Sequence, residues 1–355
     1  MKAENKRFFK ELVSQASPSG FESPAQKVFE DYLKNIVDEI YGDYTGNRIA
    51  VLKSKSKNPL KIMIAGHCDE IGLMATTIEE TGQIRANNIG GVDPAVLPGQ
   101  YVIIHTKTKN IPGVIGRKAI HLLKKEERGQ VKKEQLWIDC GFSNKKEAEK
   151  VIRVGDPISY APNYLELAGK NIVSKGCDDK VGVFVVAETM RMLAEKRSSL
   201  KSDVYGVSTT MEEIGLRGAR TAAAGITPDI GIAIDVTHCT DYPDADKKLS
   251  GEISLGKGPV IARGANVSSI LFEALVSLAE KNKIPYQIEA EPNATGTDAN
   301  AIQVTGKGVA TALISIPNRY MHTPSEVVNL TDLENAARLL TELILTFTPK
   351  TNLII

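Results

Sequence analysis

Apolar segments that end at metal-binding residue types recur along this chain and constrain its fold more than any other feature. Leu60–Ala65 runs into His67, and Asp203–Ser208 runs into Glu212 and Glu213. Continuous apolar runs are typical of strands that lie in a sheet covered on both faces by helices. Ligands of such sheets bind beyond the carboxyl ends of the strands. The sequence therefore predicts an α/β fold with a polar site at that edge.

Three further junctions have the same layout. Asp178 stands in a loop before a long apolar helix, Asp235 follows the predicted strand Asp229–Ile234, and His322 follows the predicted strand Val309–Ile316. Helix capping alone would explain an isolated acidic residue at a helix start, but it does not explain the repeated pattern. Imidazole and carboxylate groups together suit borderline divalent ions such as zinc, cobalt or manganese better than calcium.

The placement of these side chains suggests individual roles. His67 is placed as a metal ligand, and Asp69 is placed to accept a hydrogen bond from the second ring nitrogen of His67. The carboxylate of Asp178 is a candidate bridge between two cations. Because adjacent side chains of a strand face opposite ways, one of Glu212 and Glu213 can bind metal while the other stays free.

Composition and charge limit the class of protein. The chain has 355 residues, of which 42% are hydrophobic and 25% charged, and this is enough for a large core and two domains. The formal net charge of +1 gives no reason to expect a nucleic acid or a membrane as partner. The four cysteines form no C-x-x-C pair and Met1–Glu11 lacks a signal-peptide core, so we expect a cytoplasmic protein with free thiols.

The segment from residue 72 to residue 164 differs from the rest of the chain. Short β-type runs alternate there with Gly, Pro and Asn turns, and helical periodicity nearly disappears. We therefore predict a small β domain at 72–164, inserted into a discontinuous catalytic domain formed by 1–71 and 165–355. The insert is expected to add little to the site, and Thr295–Asp298 is expected only to cap a short helix.

Five motifs together show a resemblance to a known family. The chain resembles the M42 family of co-catalytic metallo-aminopeptidases, which form the tetrahedral TET particles, and the resemblance covers essentially the whole chain. The motifs that carry it are Ala65–Gly72, Cys177–Lys180, Met211–Gly215, Ile234–Thr237 and Tyr320–Thr323.

The resemblance implies a fold, a cofactor and partners. The catalytic domain would be zinc-peptidase-like, with a mixed sheet between helices, and the inserted domain would be a small β-barrel-like unit that mediates dimerisation. Dimers would assemble into a hollow tetrahedral dodecamer, although some family members also exist as dimers. Each subunit would hold two divalent ions, zinc or cobalt first and manganese as a further option, and the substrates would be peptides.

The resemblance also assigns the metal ligands position by position. His67 and Asp235 would hold one ion, and Glu213 and His322 would hold the other. Asp178 would bridge the two ions.

Further residues receive roles from the resemblance or from their position. Glu212 would be the general base, and Asp69 would orient the histidine at the end of the first buried strand. His238 is a candidate for the rim of the substrate pocket. His121, in the inserted domain, is a candidate for reaching the site of a neighbouring subunit.

Alternative functions use the same residues differently. A metal-dependent deacylase or deblocking hydrolase would need the same site with a different pocket. Some relatives carry the name endoglucanase, but adjacent glutamates and 5% aromatic residues are poor equipment for a glycosidase. A third alternative is a non-catalytic scaffold that has kept the fold. The sequence leaves the preferred N-terminal residue open among acidic, basic and aliphatic side chains.

Overall fold

A computed structural model describes residues 1–125 and 128–354 of the chain. The helices of this described part are α1 Ala3–Ser14, α2 Ser23–Leu33, α3 Lys145–Ala148, α4 Cys177–Glu195, α5 Arg217–Ile226, α6 Lys247–Ser250, α7 Ser269–Lys281, α8 Asp298–Gln303 and α9 Leu330–Thr346. Its strands are β1 Glu39–Gly42, β2 Arg48–Leu52, β3 Lys61–His67, β4 Gly72–Ile78, β5 Ile84–Ile89, β6 Tyr101–His105, β7 Asn110–Arg117, β8 Leu136–Asp139, β9 Pro157–Tyr160, β10 Leu165–Glu166, β11 Asn171–Ser174, β12 Asp203–Thr209, β13 Ile230–His238, β14 Val260–Gly264, β15 Gln287–Glu291, β16 Ala310–Asn318 and β17 Glu326–Asn329.

The largest sheet has eight strands in the order β1-β2-β12-β3-β13-β16-β14-β15. Strands β12, β3, β13 and β16 are parallel neighbours, whereas β2 runs antiparallel to β12 and β14 runs antiparallel to β16. The carboxyl ends of the four parallel strands therefore meet at one edge of the sheet. A second, three-stranded sheet pairs β11 with β10 and β17.

Helices cover both faces of the large sheet. On one face, α1, α2, α4, α7 and α9 enclose the main apolar core, in which Phe9, Phe184 and Leu333 are fully buried. On the other face, α5 and α8 cover a smaller core that includes Met63 and Ile302. This arrangement confirms the predicted α/β class with a mixed sheet. No helix in the described ranges is long and apolar enough to cross a membrane.

The six strands from β4 to β9 form a closed barrel, in the order β4-β5-β8-β7-β6-β9. The barrel has its own core of aliphatic side chains, including Leu73, Val102, Ile115 and Ile158. It begins at β4, a few residues after the carboxyl end of β3, so one rim of the barrel lies near that edge of the large sheet.

The close packing of α4 on β3 brings two parts of the site together. A Cβ atom on Gly66 would lie 2.5 Å from the carbonyl carbon of Gly182, so a larger residue at position 66 would force the helix away from the strand. The peptide bond between Asp178 and Asp179, at the start of α4, is cis. The last residue of β3, His67, therefore lies beside the first turn of α4.

Candidate active site

One group of candidate metal ligands lies at the carboxyl ends of β3 and β13. It contains His67, Asp178 and Asp235, whose nearest donor atoms all lie within 4.8 Å of one another. His67 Nε2 is 3.1 Å from Asp178 Oδ1 and 3.9 Å from Asp235 Oδ1. The parallel pairing of β3 with β13 brings these strand ends side by side. All three side chains are buried.

A second group shares one member with the first. His322 Nε2 is 3.2 Å from Asp178 Oδ2 and 3.4 Å from Glu213 Oε2. These three residues also have donor atoms within 4.8 Å of one another. Asp178 therefore directs one carboxylate oxygen to each group.

The other glutamate of the adjacent pair, Glu212, lies next to these groups without belonging to either. Glu212 Oε2 is 3.8 Å from His67 Nε2, and the side chain is buried. The first group and the second group both lack Glu212, whereas Glu213 belongs to the second. The two adjacent glutamates therefore differ in position, although both lie after the end of β12 and not on a strand.

The site concentrates buried acidic groups. Burial, together with the charges of neighbouring carboxylates, raises the pKa of Glu212 to about 10, of Glu213 to about 8 and of Asp235 to about 7. The hydrogen bond with Asp178 raises the pKa of His322 to about 9. Burial opposes ionisation of Asp178, but contacts with the two imidazoles outweigh it and hold its pKa below the usual range.

The donor set fits divalent cations. Glu213 Oε1 is buried and has no hydrogen-bond partner among the described residues, so one of its lone-pair directions is left for a ligand. Two imidazoles and three carboxylates suit zinc, cobalt or manganese. Cations there would also relieve the repulsion among the crowded carboxylates.

Three buried carboxylates outside these groups hold the backbone of the site. Asp69 accepts hydrogen bonds from the backbone N–H groups of Glu212 and Glu213, at 3.0 and 3.2 Å. Glu326 accepts from those of Asp178 and His322, both at 3.0 Å.

The third of these carboxylates, Asp179, accepts a hydrogen bond of 3.1 Å from the backbone N–H of His67. The second ring nitrogen of His67 faces Asp69, but the nearer acceptor is the backbone oxygen of Asp69 and not its carboxylate. Its Nδ1 atom lies 3.1 Å from the backbone oxygen of Asp69 and 3.5 Å from the Asp69 carboxylate. The nearer oxygen belongs to the main chain because the Asp69 carboxylate is already occupied by two backbone N–H groups and the hydroxyl of Ser19.

The barrel contributes to the site, contrary to the expectation that it would add little. The Nδ1 atom of His322 lies 3.0 Å from the backbone oxygen of Gly91, in the turn after β5. A Cβ atom on Gly91 would lie 2.9 Å from the same nitrogen. The turn can approach the histidine this closely because residue 91 has no side chain.

Other residues singled out from the sequence lie elsewhere. His238 is exposed at the end of β13, and His121 is exposed on a short turn of the barrel. Cys68 and Cys177 are buried in the main core, and burial raises the pKa of both thiols well above their ordinary value. Protonated thiols are poor metal ligands.

Sequence reasoning missed Asp298, which is, like Glu326, a buried acid at this edge. Asp298, at the start of α8, accepts a hydrogen bond of 2.5 Å from Thr209 at the end of β12. Its second oxygen is buried without a partner among the described residues, and its charge contributes to the raised pKa of Glu212. The expectation that Thr295–Asp298 only caps a helix is therefore incomplete. The sequence Thr295–Asp298 does not indicate this role, because an Asp at the start of a helix is commonly a cap.

Solved structures similar to this chain are aminopeptidases, and they define the class of the protein. An aminopeptidase from the archaeon Desulfurococcus kamchatkensis is 40% identical, with a TM-score of 0.90 over 98% of this chain and 97% of that one. The Pyrococcus horikoshii TET1 peptidase, which can assemble into a tetrahedron or a large octahedral shell, is 30% identical, with a TM-score of 0.85 over 96% and 99% of the two chains.

The family follows from the sequence. The chain belongs to the M42 glutamyl aminopeptidase family, whose model matches residues 46–339. Among curated relatives, a lysyl aminopeptidase of Pyrococcus furiosus is 36% identical over 334 residues, which cover 93% of this chain and 94% of that protein. These findings confirm the resemblance identified from the motifs and the assignment of the chain as an aminopeptidase.

Proposed function

We propose that this protein is a co-catalytic di-metal aminopeptidase that removes N-terminal residues from short peptides. The observation that carries the proposal is the position of Asp178, which directs one oxygen to His67 and the other to His322. A carboxylate shared in this way can hold two cations in one site.

His67 and Asp235 would hold one ion, Glu213 and His322 would hold the other, and Asp178 would be shared between the two. The ions are zinc or cobalt, with manganese as a further option, because the donor set tolerates all three. Bound cations of this kind lower the pKa of water and polarise a carbonyl group.

Glu212 acts as the general base. Its carboxylate lies beside the candidate ligands without belonging to them, so an oxygen is free to accept the proton of the attacking water. The acid formed at Glu212 then donates that proton to the nitrogen of the leaving amine.

Asp69 is a positioning residue for this base. It binds the backbone N–H groups of Glu212 and Glu213 and thereby fixes the turn that carries both side chains.

Assembly and location are part of the same proposal. Exposed apolar residues on the barrel, and the shells formed by the similar TET1 peptidase, support a homo-oligomer in which barrels pair subunits into dimers and dimers build a dodecamer. Such a shell would admit unfolded peptides. Free buried thiols suit a reducing cytoplasm.

The test of the mechanism compares two substitutions. Glu212→Gln removes the base but no ligand, so it should retain both ions while kcat falls by roughly 10²–10⁴-fold. Asp178→Asn weakens the bridge and should lower the metal content as well as activity. Metal content is measured by elemental analysis and activity with aminoacyl-p-nitroanilides. Full activity of Glu212→Gln would exclude its role as base, and two retained ions in Asp178→Asn would exclude the bridge.

A substrate panel tests the reaction class. Free aminoacyl-p-nitroanilides and their N-acetylated forms are compared after chelation and after addition of zinc, cobalt or manganese. An aminopeptidase should cleave the free-amine set in a metal-dependent way. Cleavage confined to the acetylated set would instead identify a deacylating or deblocking hydrolase.

A further inference from the structure

A carboxylate outside the two ligand groups lies on the same face of the large sheet as Asp235. Thr237 is two residues beyond Asp235 on β13, so both side chains point to one face. The hydroxyl of Thr237 donates a hydrogen bond of 2.9 Å to Glu289 Oε1, on β15. Glu289, on the edge strand, therefore contacts the residue that lies two positions beyond the candidate ligand Asp235 on β13.

The step along β13 from Asp235 to Thr237 is comparable with the length of a long side chain. Two residues of a strand span about 6.8 Å, which is comparable with the reach of the four-carbon stem of lysine. An N-terminal residue whose carbonyl carbon lies at the candidate centre could place the end of a long side chain near Glu289.

Glu289 has no cationic partner in the part of the chain that the structure describes. Within residues 1–125 and 128–354, no lysine, arginine or histidine forms an ion pair with it, and its charged neighbour is a second acid, Glu291. Burial raises the pKa of Glu289, while the hydroxyl of Thr237 opposes the rise. The hydrogen bond from Thr237 offsets only part of the cost of burying the charge of Glu289. A bound cation would stabilise this carboxylate further.

The arginine that directly follows β16, the strand paired with β13, is already occupied. Arg319 binds both oxygens of Asp241, through Nε at 2.7 Å and through a terminal nitrogen at 2.8 Å. A two-point pair of this kind leaves little capacity for an acidic substrate side chain. The fixed charges of this region therefore favour a cation over an anion.

We propose that Glu289 is a specificity-determining residue that selects peptides with lysine or arginine at the N-terminus. This inference rests on the proposed aminopeptidase function and names the substrate class of the same site. The ammonium or guanidinium group of the first residue donates hydrogen bonds to the Glu289 carboxylate, and Thr237 holds that carboxylate in place. A substrate with an N-terminal acidic residue is repelled by Glu289 and Glu291.

The test measures kcat/KM of the metal-loaded protein for lysyl-, arginyl-, leucyl- and glutamyl-p-nitroanilide. The lysyl and arginyl substrates should exceed the leucyl substrate by tenfold or more, and the glutamyl substrate should be slowest. In Glu289→Gln the ratio of lysyl to leucyl kcat/KM should fall about tenfold or more. Glu273→Gln, on the exposed side of α7, is the matched control and should leave the ratio unchanged.

A second variant keeps the test decisive if Glu289→Gln folds poorly. Glu289→Arg should move the preference from the lysyl toward the glutamyl substrate, which a merely structural role of Glu289 would not produce. Wild-type protein that prefers leucyl or glutamyl substrates would overturn this inference and leave the proposed function standing. If the proposed aminopeptidase function is wrong, the result is different: no free aminoacyl substrate is cleaved in a metal-dependent way.

Discussion

At the scale of single residues, Glu326 shows how the site depends on side chains that would touch no ion. Its two oxygens each accept a backbone N–H, one from Asp178 and one from His322. These two residues come from different parts of the chain and belong to the same candidate ligand group. The carboxylate of Glu326 therefore fixes the separation of two ligands.

Glu326→Gln should weaken metal binding without removing a ligand. A glutamine has one acceptor oxygen, and its NH₂ group would face the second N–H, so one of the two hydrogen bonds is lost. Substitution of a residue that holds metal ligands in place typically lowers metal affinity roughly 10–100-fold. Titration calorimetry of the metal-free protein with zinc checks the expectation, and Glu342→Gln, at an exposed ion pair with Lys196, is the control. Equal affinity in all three proteins would contradict a positioning role.

The sequence predicts the candidate ligands far better than the residues that hold them. His67, Asp235 and His322 each follow an apolar strand, and that local pattern places them at one edge of a sheet. Glu326 and Asp298 have no such pattern. Glu326 binds Asp178, 148 residues away, and Asp298 binds Thr209, 89 residues away. These roles therefore appear only when the fold brings distant segments together.

At the scale of elements, a buried charge cluster joins β3, α4 and the turn after α1. Lys175 Nζ and Lys180 Nζ lie 2.8 and 2.9 Å from the Glu70 carboxylate, and all three side chains are buried. Both lysines also donate to the backbone oxygen of Gln15, and Glu70 accepts from the backbone N–H of Ser17. The cluster thus connects the end of β3 with the start of α4, where the candidate ligands lie.

Glu70→Gln should destabilise the protein strongly, because it leaves two buried ammonium groups without an anion. Breaking a buried pair costs roughly 3–5 kcal/mol. Thermal melting at fixed protein concentration and metal content measures the loss. Glu80→Gln, at an exposed pair with Lys145, is the control and should change stability by about 1 kcal/mol or less.

The same cluster predicts a pH dependence. Burial disfavours the charge of Glu70, but Lys175 and Lys180 outweigh it and lower its pKa to about 2. The stabilisation is therefore complete above the unfolded value near 4.5 and is lost as the pH falls toward 2. Glu70→Gln should flatten the dependence of stability on pH in this window, and an unchanged slope would show that the cluster does not control it.

The elements that the sequence predicted well are those with a strong local pattern. The apolar runs Leu60–Ala65 and Asp229–Ile234 predict β3 and β13, and each strand begins one residue after the start of its run. β15 was missed because Gln287–Glu291 alternates two acids and an amide with one aliphatic residue and one alanine, as an edge strand allows. The closure of the barrel depends on the pairing of β4 with β9, more than 70 positions later, which no local pattern specifies.

At the scale of the whole molecule, the barrel carries apolar residues that the single chain leaves uncovered. Ile120 and Leu122 are 60% and 68% exposed, and they flank His121 on one short turn. Exposed apolar pairs of this kind mark surfaces for other chains when they lie together. The proposal that barrels pair subunits predicts that this turn lies in the contact.

The double substitution Ile120→Glu with Leu122→Glu should therefore reduce the size of the assembly while the subunit stays folded. Buried charges without partners would disfavour the contact, and light scattering during size-exclusion chromatography measures the mass. Val304→Glu, at a residue that is 75% exposed outside the barrel, is the control and should leave the mass unchanged. An unchanged mass in the double variant would exclude this turn from the contact.

If His121 also completes a neighbouring site, His121→Ala should lower kcat/KM in the intact assembly. Wild-type kinetics of this variant would show that the turn serves assembly alone.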